Sequence, residues 1–386
     1  MMRYAGRMTR IQPFHVMALL ARARGLEAEG RSIVHMEIGE PDFITPQPVI
    51  DAGIRALQEG RTHYTPAVGL TALRERLAAF YRVRYGVEVA AERIVITPGA
   101  SAALQLALAL LVDPGDRVLM ADPGYPCNRN FVHLLNGVPV GLPVDAGTNY
   151  QPTAAQVEAA WSGSVSALLL ASPSNPTGTL LDEAELRALF AVARARGGGL
   201  VVDEIYHGLT YGAPATTALA VSEEIFVINS FSKYFGMTGW RLGWLVAPRT
   251  AVAEIDKLAQ NLYLAAPTPA QHAALAAFEP GNIAILEARR KEFHARRDYL
   301  LPALRSLGFD IAGAPEGAFY LYADCGRFTG DSYDFSARLL EEAGVAVTPG
   351  IDFGDHRPER HVRFAYTTSM EHLKEGVRRL KDYLGA

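Results

Sequence analysis

Lysine is scarce in this chain: of 37 basic side chains among 386 residues, only five are lysine, and Lys233 is the first of them. Cysteine is scarcer still. Cys127 and Cys325 lie far apart and outside any metal-ligand spacing, which excludes a disulfide framework and a zinc site and fits free thiols in a reducing compartment. No apolar run reaches the roughly 18–20 residues of a membrane span. Residues 1–30 carry scattered arginines and no compact apolar core, so no signal peptide is expected there. A formal charge of −4 leaves no basic excess for nucleic acid or an acidic membrane surface. The Gly-x-Gly-x-x-Gly pattern expected of a nicotinamide enzyme is also absent at the one glycine turn that opens a helix, near Gly99. A soluble, cytoplasmic protein is the expectation.

What is present is an alternation of short apolar runs with helical patterns. Candidate strands are Ile94–Thr97, Arg117–Met120, Ala167–Ala171, Leu200–Asp203, Ile225–Asn229 and Leu242–Ala247. Several are apolar throughout, as strands covered by helices on both faces are. Asp182 and Glu185 form a capping box at the start of one helix, and Gly197 closes it. Such alternation predicts an α/β protein with a mainly parallel sheet sandwiched by helices. At 386 residues, two domains are expected. The pattern changes near Pro280, where a long helix (about Asn282–Leu307) begins, with a kink or break expected at Pro302. Strand Ala318–Ala323, helix Phe335–Ala343, strand His361–Ala365 and helix Met370–Leu384 then read as a smaller α+β domain. The helical pattern at Phe14–Ala28 is expected to pack on it. The expected division is 46–281 for the large domain, with 1–45 and 282–386 forming the small one.

The segment from Ser230 to Gly243 concentrates the chemistry. It follows a predicted strand, which places Lys233 at a strand's carboxyl end, where open α/β sheets bind ligands. A lysine forms a Schiff base only as the neutral amine. Its ordinary pKa of about 10.4 must therefore be lowered by burial or a nearby cation. Arg241, eight residues on, supplies a cation and a fork suited to phosphate.

The spacing Ser-x-Ser-Lys-x7-Arg-x-Gly resembles the lysine signature of the class I/II aminotransferases, the aspartate aminotransferase-like pyridoxal 5′-phosphate (PLP) enzymes of fold type I. The resemblance implies that Lys233 carries PLP as a Schiff base while Ser230 and Arg241 hold its phosphate. Other segments are similar to family motifs in the family's order, from Gly39 to Arg363. Asp203 ends an apolar strand where the family places the carboxylate that keeps the pyridine nitrogen protonated. Tyr206 and Asn175, the latter in an Asn-Pro-Thr-Gly turn, correspond to the donors to the cofactor's phenolic oxygen. Gly99, Ala100 and Ser101 form a strand-to-helix turn whose backbone N–H groups suit an anion. Tyr125, between Pro123 and Pro126, matches the aromatic stacked on the pyridine. Gly39 belongs to a segment similar to the one covering the substrate, and Arg363 to the arginine that takes the substrate carboxylate bidentately. Tyr64, with Gly69 and Arg74, resembles the segment whose tyrosine reaches the phosphate of the other subunit, which implies a homodimer with a shared active site.

The implied activity is ping-pong transfer of an amino group between an L-amino acid and a 2-oxo acid. The same cofactor motifs also serve β-elimination, as in carbon–sulfur lyases, and ring closure, as in aminocyclopropane carboxylate synthase. A PLP-fold regulatory protein would carry a further DNA-binding domain, for which about 38 residues before Gly39 leave too little chain. No motif supplies a second cation for a side-chain carboxylate. The aromatic content and the Asn261–Leu264 stretch are compatible with a neutral or aromatic substrate side chain.

Overall fold

The computed structural model describes residues 2–212 and 215–385. At its centre is a seven-stranded sheet in the order Ile94–Thr97, Gly243–Val246, Phe226–Ser230, Gly199–Asp203, Val165–Ala171, Arg117–Asp122, Val138–Pro143. All neighbours are parallel except Gly243–Val246, which runs antiparallel to the strand on each side. Successive residues of these strands enter different cores. Ile94, Ile96, Leu168, Leu170, Leu200 and Val202 pack in one apolar cluster, while Val95, Ala167, Leu169, Val201 and Ile228 pack in another. Both faces are therefore covered, which is why the strands read as unbroken apolar runs. The α/β expectation holds.

Six expected strands are present to within two residues at either end. The Val138–Pro143 strand was not anticipated. It lies at the sheet edge, is mostly exposed and carries Pro139 and Pro143, so it shows no apolar run. Proline is tolerated there because an edge strand leaves one row of N–H groups unused.

The remaining strands form two small sheets. Val34–His35 pairs in parallel with Val345–Ala346. His361–Ala365 is flanked by Thr348–Pro349 and Tyr320–Asp324, both antiparallel to it. The Val34–Val345 pairing ties the N-terminal segment to the C-terminal one. The helix Pro280–Ser306 is continuous through Pro302, so of the expected kink or break the break does not occur. A missing N–H and a ring clash cost roughly 3 kcal/mol. Burial of Leu300, Leu301 and Leu304 around the proline holds the last turn in place against that cost. The expected Phe335–Ala343 helix is Ser332–Arg338 continued by a π turn, Leu339–Ala343. The capping box at Asp182 and the positive φ of Gly197 after the Glu183–Ala195 helix appear as expected. Among the described residues no helix is long and apolar enough to cross a membrane, and no cluster of His, Cys, Asp and Glu is placed to hold a metal.

The first long helix, His15–Ala28, has no capping side chain of its own at Phe14. Asp352, distant in sequence, accepts its first N–H groups instead: His15 N–H and Val16 N–H reach the two carboxylate oxygens at 2.9 Å each. Asp352→Ala removes both acceptors, a loss of about 1 kcal/mol for a cap. Amide exchange in residues 15–28 is expected to accelerate about fivefold at constant pH. Unchanged exchange there would mean the carboxylate contributes nothing to the helix.

Candidate active site

Register explains why these residues meet. Thr97 and Ser230 each pair with Gly243, and Ala171 pairs with Asp203. Because the Gly243–Val246 strand is reversed, it begins at the edge where its parallel neighbours end. Gly99, Arg241, Lys233, Asp203 and Asn175 thus all lie within a few residues of one sheet edge. That edge is the carboxyl end of the parallel strands, the expected place for a ligand.

At one side of this edge the helix Ala100–Leu111 starts after Gly99 with no side-chain cap. Its first N–H groups and dipole face outward, a ready anion site. Gly99 has φ +81°, and a Cβ there would lie 2.6 Å from Arg241 Nη2. A Cβ at Gly243 would meet the Ala100 nitrogen at 2.7 Å. Both glycines are therefore needed for the guanidinium and the helix start to share one small space. Arg241 Nη1 donates to the Thr238 carbonyl at 2.9 Å. Ser230 Oγ is buried, 2.9 Å from Ser232 Oγ and 3.1 Å from the Leu242 carbonyl oxygen, and accepts the Ser232 N–H at 3.0 Å. Ser232, not singled out in the sequence, thereby joins Ser230 beside this cradle. Ser101 lies in the first turn of the helix, half-buried.

Lys233 is partly buried, and its Nζ donates to the Gly39 carbonyl at 2.7 Å. Loss of water pushes its pKa down to about 8, with Glu40 opposing and the charges of Arg363 and Arg241 assisting. Burial pushes the Asp203 carboxyl up to about 7, against the Ile205 N–H it accepts at 3.0 Å and the charge of Lys233. Tyr125 follows the Arg117–Asp122 strand and immediately precedes the Pro126–Leu134 helix, and Cys127 Sγ donates to its hydroxyl at 3.3 Å. Burial raises the Tyr125 phenol, with Cys127 and then Asp203 and Tyr320 contributing.

Arg363 is 5% exposed, buried in the middle strand of the three-stranded sheet, so it is not a surface ion pair. Nη1 donates to Asn175 Oδ1 at 2.8 Å, and Nη2 to the Glu37 carbonyl at 2.6 Å and Thr348 Oγ1 at 3.2 Å. Its guanidinium carbon lies 4.2 Å from the Tyr320 ring centre and 4.9 Å from that of Phe353. Nε is buried without a hydrogen-bond partner. Among the described residues no carboxylate pairs with this cation, which suits it to an incoming one. Tyr206 Oη is 2.8 Å from Tyr320 Oη. A Cβ on Gly39 would lie 2.0 Å from that same Tyr320 hydroxyl, which accounts for the glycine.

Lys233, Asp203, Asn175, Tyr206, Gly39 and Arg363 are thus linked by direct contacts or by felt charge, and Arg241 with Gly99 and Ala100 forms the adjoining cradle. Tyr64 stands apart, 82% exposed and outside these contacts. Tyr320, Thr348 and Phe353 were missed by the sequence. They lie on or beside the short strands of the small sheet, and only the fold shows which face turns to Arg363. The residues fit PLP. The uncapped helix start with Arg241 suits its phosphate, the buried Asp203 its ring nitrogen, and the lowered lysine its aldehyde.

Only the neutral Lys233 amine can attack an aldehyde. Below about pH 8 the protonated form dominates. The rate at which cofactor-free protein takes up PLP is expected to rise about tenfold per pH unit below that point and to level off above it. A rise centred near about 10.4, the value of an exposed lysine, would contradict the burial argument.

Residues 31–380 match the family model described as aminotransferase class I and II. The chain is 39% identical to a valine–pyruvate aminotransferase of Mycobacterium tuberculosis, over 97% of each chain. It is 38% identical to a (5-formylfuran-3-yl)methyl phosphate transaminase of Methanocaldococcus jannaschii, over 98% of each. Among solved structures, an aminotransferase from Mycobacterium tuberculosis superposes with a TM-score of 0.96 at 38% identity, covering 100% of both chains. The aspartate aminotransferase of Thermus thermophilus with maleate gives 0.93 at 34% identity, covering 99% of this chain and 100% of the other. Match, fold and site geometry agree: the chain belongs to the class I and II aminotransferases, and it is a PLP-dependent aminotransferase.

Proposed function

We propose that Lys233 is the PLP-bearing residue and the proton-transferring base of an aminotransferase acting on L-amino acids with a neutral or aromatic side chain. The observation that carries this is the lysine amine itself: withdrawn from water, lowered to about 8, and set among Asp203, Arg241 and Arg363. When bound, PLP supplies an electrophilic carbon and a ring that accepts the electron pair released at the substrate's α carbon. The N–H groups after Gly99, at Ala100 and Ser101, would hold the phosphate with Ser230 and Arg241. Asp203 would keep the ring nitrogen protonated. Tyr206 and Asn175 would donate to the phenolic oxygen, and Tyr125 would pack on the ring. Arg363 takes the substrate carboxylate bidentately, with the Gly39 backbone closing beside it. That orients the α C–H toward the Lys233 amine, which removes the α proton and returns it elsewhere in the same half-reaction.

Substrate class rests on charge. Arg241 serves the phosphate and Arg363 the α-carboxylate, which leaves no assigned cation for a second acid group. The relatives named above act on valine with pyruvate, on a furan phosphate and on aspartate, so kinship fixes the reaction and not the side chain.

A homodimer with Tyr64 completing the partner's phosphate site is part of this proposal. Tyr64, Leu262 and Leu264 are large apolar residues at 82%, 59% and 55% exposure. The Tyr64 loop is fastened to the helix Thr268–Leu275 that follows Leu264, Thr268 Oγ1 donating to the His63 carbonyl at 2.7 Å and Gln271 Nε2 to Thr65 Oγ1 at 3.1 Å. A tied-down apolar surface of this kind supports coverage by a second copy.

The test is to add one L-amino acid without any 2-oxo acid. One equivalent of 2-oxo acid per site, with a matching loss of visible absorbance and no ammonia, is the expected outcome. Continuing turnover with ammonia release would point to elimination instead. Arg363→Ala is expected to raise KM about a hundredfold, from losing roughly 3 kcal/mol of charged hydrogen bonds. A KM unchanged in that variant would remove Arg363 from the substrate site.

A further inference from the structure

Tyr320 touches three parts of the site at once. It lies two residues before Tyr322, the register partner of Arg363, and so shares the face of the sheet on which Arg363 stands. Its own register partner is Ala365, whose small side chain leaves room for the tyrosine ring to lie under the guanidinium at 4.2 Å. Tyr322, which directly faces Arg363 across the strand pair, instead stacks on His361 with centroids 4.6 Å apart. The Tyr320 hydroxyl is confined as well. It sits 2.8 Å from Tyr206 Oη, and on its other side the Gly39 α carbon approaches so closely that no Cβ fits. Gly39 in turn accepts the Lys233 amine. Tyr320 is 1% exposed, which shields its hydroxyl from bulk solvent.

We infer that Tyr320 is a positioning residue with two separable duties: its hydroxyl donates to Tyr206 Oη and so frees the Tyr206 hydrogen for the cofactor's phenolic oxygen, while its ring face seats Arg363. The first duty rests on the proposed role of Tyr206. A phenol oxygen that donates in one direction is a better donor when it accepts from another. Of the two hydroxyls, only one can donate within the pair. If Tyr206 donates outward, the hydrogen between them belongs to Tyr320. The Arg363 guanidinium lies over the Tyr320 ring, 4.2 Å from its centre, and draws that phenol down against the burial that raises it, as it also does to Tyr206. The second duty is a cation–π seat that also blocks the guanidinium from swinging away from Asn175.

The two duties use different atoms, so two variants separate them. Tyr320→Phe keeps the ring and removes the hydroxyl. In the PLP-loaded protein, the midpoint of the pH-dependent visible absorbance is expected to move upward by about one pH unit, because Tyr206 donates less strongly to the phenolic oxygen. KM for the amino acid is expected to change less than about threefold, since Arg363 keeps its seat. Tyr320→Leu removes ring and hydroxyl alike, and is expected to raise KM about tenfold or more in addition to the shifted midpoint. Tyr206→Phe is measured alongside. If it moves the midpoint and Tyr320→Phe does not, the inference is overturned while the role of Tyr206 stands. If neither moves it, both fall together. If both move it and the double variant moves it no further than Tyr206→Phe alone, Tyr320 acts through Tyr206 as inferred. A full additive shift in the double variant would show a separate route and overturn the hydroxyl's assigned duty.

Discussion

The Lys233 amine, partly buried and, among the described residues, hydrogen-bonded only to the Gly39 carbonyl, is the interaction around which the rest of the site is built. An ammonium in that position loses hydration that no carboxylate fully replaces. Glu40 opposes that loss most and Asp203 less, the burial of Asp203 weakening it as a counter-ion by pushing its carboxyl toward the neutral form. Arg363 and Arg241 add repulsion. The proton is thus held loosely on the lysine, which is what both carbonyl attack and proton transfer at the α carbon require.

That electrostatic arrangement depends on backbone geometry at two glycines. Gly99 lets Arg241 lie against the start of a helix, and Gly39 lets a loop carbonyl reach Lys233 past the Tyr320 hydroxyl. The first contact exists because one strand of the large sheet is reversed, so that the chain leaves the site at Lys233 and re-enters it at Arg241. The second belongs to the meeting of the N-terminal segment with the small sheet, where Arg363 holds the Glu37 carbonyl and Thr367 Oγ1 donates to the Ile38 carbonyl at 2.8 Å. Catalytic geometry therefore draws on chain segments more than three hundred residues apart.

Much of this was legible in the sequence, and for identifiable reasons. Strands covered on both faces are uniformly apolar, so Gly199–Asp203 and Phe226–Ser230 announced themselves, and with them the edge at which Asp203 and Lys233 stand. Lys233 and Arg241 were legible as candidates for a different reason, the Ser-x-Ser-Lys-x7-Arg-x-Gly spacing of their segment. Other features had no local signal. Direction of the Gly243–Val246 strand depends on pairing partners. The exposed edge strand at Val138 lacks a burial pattern, and Pro302 is kept helical by tertiary packing that a proline rule does not see. Tyr320 was illegible because one tyrosine among several in an alternating strand reveals its face only when Arg363 and Gly39 are brought to it. Arg363 was legible as a candidate carboxylate fork, but its burial, its Asn175 contact and its aromatic seat were not.

The central claim is that one particular lysine carries the amino-group chemistry, and the scarcity of lysine makes it directly testable. The PLP-loaded protein is reduced with borohydride, digested, and the five lysine-containing sites are mapped by peptide mass. The account predicts a stoichiometric phosphopyridoxyl addition on the peptide bearing Lys233 and none on Lys257, Lys291, Lys374 or Lys381. Addition at one of those four instead, or none at Lys233 in protein that is catalytically competent, would contradict it.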